Sequence, residues 1–135
     1  MTDKKKLQEK YVELQLLSMQ IKQVEEQLNV LDQKTLELIN LRDSLQNLQK
    51  IKVNTKSLVP IGLGVFVPGT VDATKGVLVN VGAGVVVKKT TDEAQEIIST
   101  QLRQLEDVTL ELNNNLRVLA EQAQHAEEEI DNLAG

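Results

Sequence analysis

The sequence predicts a mostly α fold with a small β head: a long antiparallel two-helix coiled coil joined by two consecutive β-hairpins. Three observations carry this expectation. Apolar residues recur at alternating spacings of three and four along both ends of the chain, which is the pattern of a heptad seam. Six of the seven glycines and both prolines fall between residues 60 and 84. Aromatic side chains are almost absent, Tyr11 and Phe66 being the only two in 135 residues, whereas a compact globular core uses several as filler.

The first helix is expected over residues 5–52. Its seam reads Leu14, Leu17, Ile21, Val24, Leu28, Leu31, Thr35 and Leu38. It continues through Leu41, Leu45 and Leu48 after one short step of three, which would overwind the coil locally. No glycine or proline precedes Pro60, so nothing interrupts the helix.

The head is expected over residues 56–89. Valine-rich runs bounded by Gly and Pro read as four strands: Ser57–Ile61, Gly64–Val67 with room to extend to Val71, Gly76–Val81 and Val85–Lys89. Gly62-Leu63-Gly64 and Gly82-Ala83-Gly84 are the expected hairpin turns. Pro68-Gly69 fits the centre of a type II turn, and the two hairpins would join near Thr70–Lys75. The strands are apolar on both faces, and four short strands cannot cover both faces and both edges. The head therefore reads as an assembly element, with Leu58, Val59, Val65, Phe66, Val67, Val77, Val79, Val85, Val86 and Val87 as its interface.

The second helix is expected over residues 90–134. Thr90-Thr91-Asp92-Glu93 has the form of a capping box. Its seam reads Ile98, Leu102, Leu105, Thr109, Leu112, Leu116, Leu119, Ala123, Ala126, Ile130 and Leu133. The two seams pair antiparallel, with Leu7 near Leu133 and Leu48 near Ile98, and residues 1–135 form a single domain. At the end remote from the head, alanines replace leucines in the second helix while the first has surplus apolar residues. The coil is expected to close incompletely there. Leu7, Tyr11, Leu14, Leu17, Met19, Ala123, Ala126, Ile130 and Leu133 would then form a binding tip.

The charge is uneven. Residues 1–52 carry nine basic and eight acidic side chains, residues 53–89 four and one, and residues 90–135 two and eleven, for a net charge of −5. The acidic last third disfavours nucleic acid as a partner, because phosphate binding needs clustered Lys and Arg. There is no cysteine, which excludes disulfides and thiolate metal sites. No apolar run approaches the length of a membrane span, and the charged start, Met1 to Lys6, lacks the apolar block of a signal peptide. A cytoplasmic protein without membrane or nucleic-acid partners is expected.

Catalytic chemistry finds no support. His125 is the only histidine, so no zinc set can be completed. Gly82-Ala83-Gly84 lies between two strands and lacks the further glycine or Gly-Lys-Ser/Thr of a nucleotide loop. No enzyme activity, metal or cofactor is expected.

The head carries a resemblance. Leu58-Val59-Pro60-Ile61-Gly62, Gly64-Val65-Phe66-Val67-Pro68-Gly69 and Val77-Leu78-Val79-Asn80-Val81-Gly82-Ala83-Gly84-Val85-Val86-Val87, followed by Lys89-Thr90 and Ala94, resemble the alpha class of prefoldin subunits. The order of helix, two hairpins and helix is that of the class, whereas the beta class has one hairpin. The resemblance implies a hetero-hexamer of two alpha-type and four beta-type subunits. It also implies an ATP-independent holding chaperone that binds unfolded proteins at its coiled-coil tips and passes them to a group II chaperonin. Two alternatives remain: a structural coiled-coil spacer, and a prefoldin-like chain that assembles with itself into filaments. A spacer needs only a short turn between its helices, which the valine-rich head exceeds.

Overall fold

A computed structural model describes residues 2–135. The elements follow in the order α1 (Thr2–Lys50), β1 (Thr55–Gly62), β2 (Val65–Val71), a 3₁₀ turn (Ala73–Lys75), β3 (Val77–Gly82), β4 (Val85–Lys89) and α2 (Thr91–Ala134). The chain divides into two compact units. A terminal unit comprises Met1–Thr35 and Gln104–Gly135, and a hairpin unit comprises Leu36–Arg103.

In the hairpin unit, β1 pairs antiparallel with β2 and β3 with β4, forming two separate two-stranded sheets. Both hairpins follow one plan. Pro60 faces Phe66 and Gly62 faces Val65 around the first turn; Asn80 faces Val86 and Gly82 faces Val85 around the second. The second turn places Ala83 and Gly84 at φ 52° and 74°, the two left-handed positions that match the twist of a tight hairpin.

The expected type II turn at Pro68-Gly69 is not formed. β2 runs straight through both residues to Val71, with Pro68 opposite Leu58 and Gly69 opposite Ser57. The reason lies in parity. Pro60 and Pro68 both occupy the same alternating class of the ladder, so both can turn their missing N–H away from the partner strand. The chain reverses later, where the Asp72 carboxylate accepts from the Thr74 N–H at 3.0 Å and opens the 3₁₀ turn.

The core of this unit is small. Leu45, Ala94 and Ile98 are buried together, and Leu38, Leu48, Leu102, Val77 and Val79 pack against them. One face of β3 is thus seated on the two helices, which explains why a hairpin too small to be stable alone holds its place. The start of α2 is fixed by the expected capping box: the Glu93 N–H donates to Thr90 Oγ1 at 3.1 Å, and the Thr90 N–H donates to Glu93 Oε1 at 3.0 Å. The bond from the Thr90 N–H, helped by the Thr90 hydroxyl, holds the Glu93 carboxyl below its usual range. Beside the cap, Gln49 Nε2 donates to Thr91 Oγ1 at 2.9 Å and to Asp92 Oδ1 at 2.7 Å, tying the end of α1 to the start of α2.

Along α1 the seam from Leu14 to Leu38 is buried or half-buried at each expected position. The expected short step at Leu41 does not occur. Arg42 is the half-buried residue and Leu41 is exposed, so the alternation runs unbroken from Leu38 through Arg42 to Leu45. An arginine can hold such a position because its stem packs while its head reaches water. On α2 all eleven expected seam residues are buried or half-buried.

Candidate functional site

In the terminal unit the seam begins earlier than the leucines suggest. Following the alternation back from Leu14 gives Lys10 and then Leu7, and both are half-buried. Lys10 Nζ lies 2.8 Å from Glu129 Oε2 on the other helix and 2.9 Å from Glu13 Oε2 on its own. His125 Nδ1 approaches the other Glu129 oxygen at 2.6 Å. Among the described residues Lys10–Glu129 is the one ion pair joining the two helices of this unit. A single charged residue in an apolar seam fixes register, because any slip strands it without its partner.

The expectation that alanines leave this end open is corrected by the packing. Ala126 is 1% exposed, and Leu17 and Ile130 are also buried; Leu7, Leu14, Ala123 and Leu133 are half-buried. The register set by Lys10 and Glu129 brings Leu14 level with Ala126 and Leu17 level with Ala123. By that register large side chains stand opposite small ones, and little of the seam is left to solvent at these positions. Of the nine residues expected to form the tip, only Tyr11 and Met19 are exposed, at 54% and 65%.

What remains open lies on the outside of α1. Val12, Leu16 and Met19 are all exposed, and spacings of four and three put them on one stripe. Tyr11 flanks it. Neither Val12 nor Leu16 is among the residues expected to form the tip. The signal was a second apolar periodicity, offset from the seam and running beside it.

Protonation bears on the ion pair. Glu129 holds Lys10 up at about 12, with Glu13 helping, and Lys10 holds the Glu129 carboxyl below its usual range. A depressed carboxylate contributes stability above its unfolded value of 4.5 and loses it as pH falls through the folded value. A raised lysine contributes below its unfolded value of 10.5 and loses it as pH rises through about 12. Amide protection at residues 121–134, taken relative to the intrinsic exchange rate at each pH, is therefore expected to hold between these limits and to fall beyond either. Lys10→Met should flatten both limbs, and a profile unchanged by that substitution would mean the pair does not hold the helices.

In the hairpin unit, Leu58, Val59, Val65, Phe66, Val67, Val85 and Val86 are exposed, while Val77, Val79 and Val87 are half-buried. Ile61, Leu63, Leu78 and Val81 are also exposed and join the candidate surface. The distinction between the two groups is one the sequence did not make: alternate residues of β3 face the helices. Among the described residues no group of three or more His, Cys, Asp or Glu side chains could hold a metal ion, and no helix is long and apolar enough to cross a membrane.

The architecture has counterparts. The model of the prefoldin subunit family matches residues 17–135. Prefoldin subunit alpha of Archaeoglobus fulgidus is 28% identical over 130 residues, covering 96% of this chain and 95% of its own length. Prefoldin subunit alpha of Pyrococcus horikoshii is 31% identical over 104 residues, covering 76% and 70%. The cryo-EM structure of filamentous PFD from Methanocaldococcus jannaschii shares the fold at a TM-score of 0.77 and 21% identity, covering 88% of this chain and 98% of that one. Two long helices flanking two antiparallel hairpins, matched over most of the chain by the family and its alpha subunits, place this protein: it belongs to the prefoldin family, as a subunit of the alpha class.

Proposed function

We propose that this chain is the alpha-type subunit of an ATP-independent holding chaperone of the cytoplasm. Its hairpins join those of beta-type subunits, two alpha with four beta, and its helix pair binds segments of unfolded proteins before their transfer to a group II chaperonin. It acts by holding, without catalysis or a cofactor. Family membership supports the chaperone role. The observation that carries client binding is the Val12, Leu16 and Met19 stripe: the seam is already filled, yet large apolar side chains stay in water beside it.

Each such side chain offers about 1.5–3 kcal/mol if fully buried, so one subunit binds weakly. Several subunits on one platform convert weak contacts into useful avidity through effective concentration. The acidic run Glu127, Glu128, Glu129 and Asp131 on α2 keeps this unit in solution and favours clients with basic segments.

The test is the triple substitution Tyr11→Ser, Leu16→Gln and Met19→Gln. All three positions are exposed, so helix content and assembly should stay as in the parent chain. Suppression of aggregation of a chemically denatured model protein should fall about tenfold, in line with the loss of even one well-buried side chain per contact. Undiminished protection would place the client surface elsewhere.

A further inference from the structure

The terminal unit carries a second surface, distinct from both the seam and the stripe. Four residues each stand one place before a seam residue: Gln20 and Gln27 on α1, Asn115 and Gln122 on α2. Such positions flank the seam of a coiled coil and often hold Glu and Lys, which pair across the helices. Here all four are neutral carboxamides. Charge returns on this flank only beyond them, at Glu13 and Glu129 on one side and at Lys34 on the other. The opposite flank, one place after seam residues, is charged at Glu25, Asp32, Glu106 and Glu127.

The four amides border a groove of about 510 Å3 between the helices, and Gln23 joins them there. Half-buried Val24 and Leu119 and exposed Val118 supply its apolar part, and no charged side chain lines it. All five amides are exposed. The side-chain hydrogen bonds among the described residues are made elsewhere. Adjoining grooves share its walls. Gln20 and Gln23 also line one that holds Leu16 and Met19, and Gln23 and Gln27 line one that holds Val30 and Val108. The amides thus continue the exposed stripe along the helix pair.

A carboxamide carries both a donor and an acceptor, the same pair that the main chain of an unfolded protein presents at almost every residue. Gln23 and Gln27 are about 6 Å apart along the helix axis. That is close to the two-residue repeat, roughly 6.6 Å, at which an extended chain turns its N–H and C=O to one side. From Gln20 to Gln27 the rise is about 10 Å, room for about three extended residues. Being neutral, the amides select no charge in what they bind. We infer that this flank is a main-chain groove, and that its occupant is an extended segment of unfolded polypeptide held through its peptide groups by Gln20, Gln23, Gln27, Asn115 and Gln122. The site rests on the holding role proposed above and adds how clients of unrelated sequence are gripped. The stripe takes apolar side chains, and the amides take the backbone that all clients share.

The probe is a short uncharged peptide of alternating valine and serine, titrated into the isotope-labelled full chain and followed by NMR. The side-chain NH2 signals of the five residues should shift as peptide is added. The same peptide with its backbone nitrogens methylated has lost those donors and should bind about tenfold or more weakly. The triple variant Gln23→Met, Gln27→Met and Asn115→Leu keeps side-chain size and adds apolar surface while removing hydrogen-bonding groups. Main-chain capture makes it bind the peptide about tenfold more weakly, whereas purely apolar capture makes it bind more tightly. All three positions are exposed, so helical circular dichroism should be unchanged. The groove is overturned if methylation or the triple substitution leaves affinity unchanged or raised, or if the NH2 signals stay still. It is also overturned if those signals move with the concentration of the chain alone, which would assign this flank to the helices of a second copy. A chain that fails these tests yet suppresses aggregation of a denatured protein loses the groove and keeps the holding role; one that neither binds peptide nor protects loses both.

Discussion

Gly76→Val is expected to unseat the second hairpin while leaving the helices formed. Gly76 lies at φ 86° and ψ −170°, a region essentially reserved for glycine, where any other residue costs about 1–3 kcal/mol of backbone strain. Space is a second obstacle. A Cβ at this position would lie 2.6 Å from the Lys89 carbonyl oxygen, and that atom is backbone at the end of β4, so it cannot swing aside. Relief requires β3 and β4 to part at their base, beginning with the Val77–Lys89 pair. Val77 and Val79 then lose their packing against Leu45, Ala94 and Ile98, about 1.5–3 kcal/mol for each fully exposed side chain. Amide exchange across β3 and β4 should quicken by orders of magnitude. Helical circular dichroism should change little. Unaltered protection in these strands would show that β4 yields to the new side chain at small cost.

Much of the fold was legible because each element obeys a single period. The α2 seam could be read residue by residue, since its spacings are unbroken and its capping box announces the start. The hairpin turns were equally plain from Gly-x-Gly between valine runs. Two departures along α1 have one cause: long charged side chains can fill seam positions that apolar residues alone do not mark. Lys10 and Arg42 stand at seam positions, yet their stems were not counted. Apolar residues alone therefore leave position 10 out of the seam and put Leu41 in it. Pro68-Gly69 has the composition of a turn, and only its parity with Pro60 across the ladder reveals a strand; pairing partners are not visible in a linear reading. The same limit applies to the terminal unit. Alanine looks like a gap in a list of seam residues, whereas Ala126, at 1% exposed, is among the most enclosed side chains. The candidate surface consequently moved from the seam to the stripe beside it.

Phe66→Asp combined with Val86→Asp is expected to abolish assembly. Phe66 and Val86 belong to different hairpins, and both are exposed within the chain, at 53% and 56%. Neither is part of the cluster of Leu45, Ala94 and Ile98, so the folded chain loses little when they change. Val79 is unsuited to this purpose because it packs on that cluster and its loss would confuse folding with association. In an assembly built from the hairpins, the two side chains would each contribute about 1.5–3 kcal/mol of burial. Their removal alone weakens association by about 10²–10⁴-fold at roughly 1.4 kcal/mol per tenfold. A carboxylate in their place adds the cost of desolvating an unpaired charge. Acidic repulsion between neighbouring subunits acts in the same direction. The doubly substituted chain should therefore remain free when mixed with a beta-type subunit at concentrations where the parent chain is fully incorporated, as read by light scattering. Its thermal melt, followed at the helical signal, should overlay that of the parent chain measured alone. An assembly of unchanged mass would remove the hairpins as the interface and transfer that role to the helices, where the exposed Val30, Leu36, Val108 and Leu110 would be the next surface to substitute.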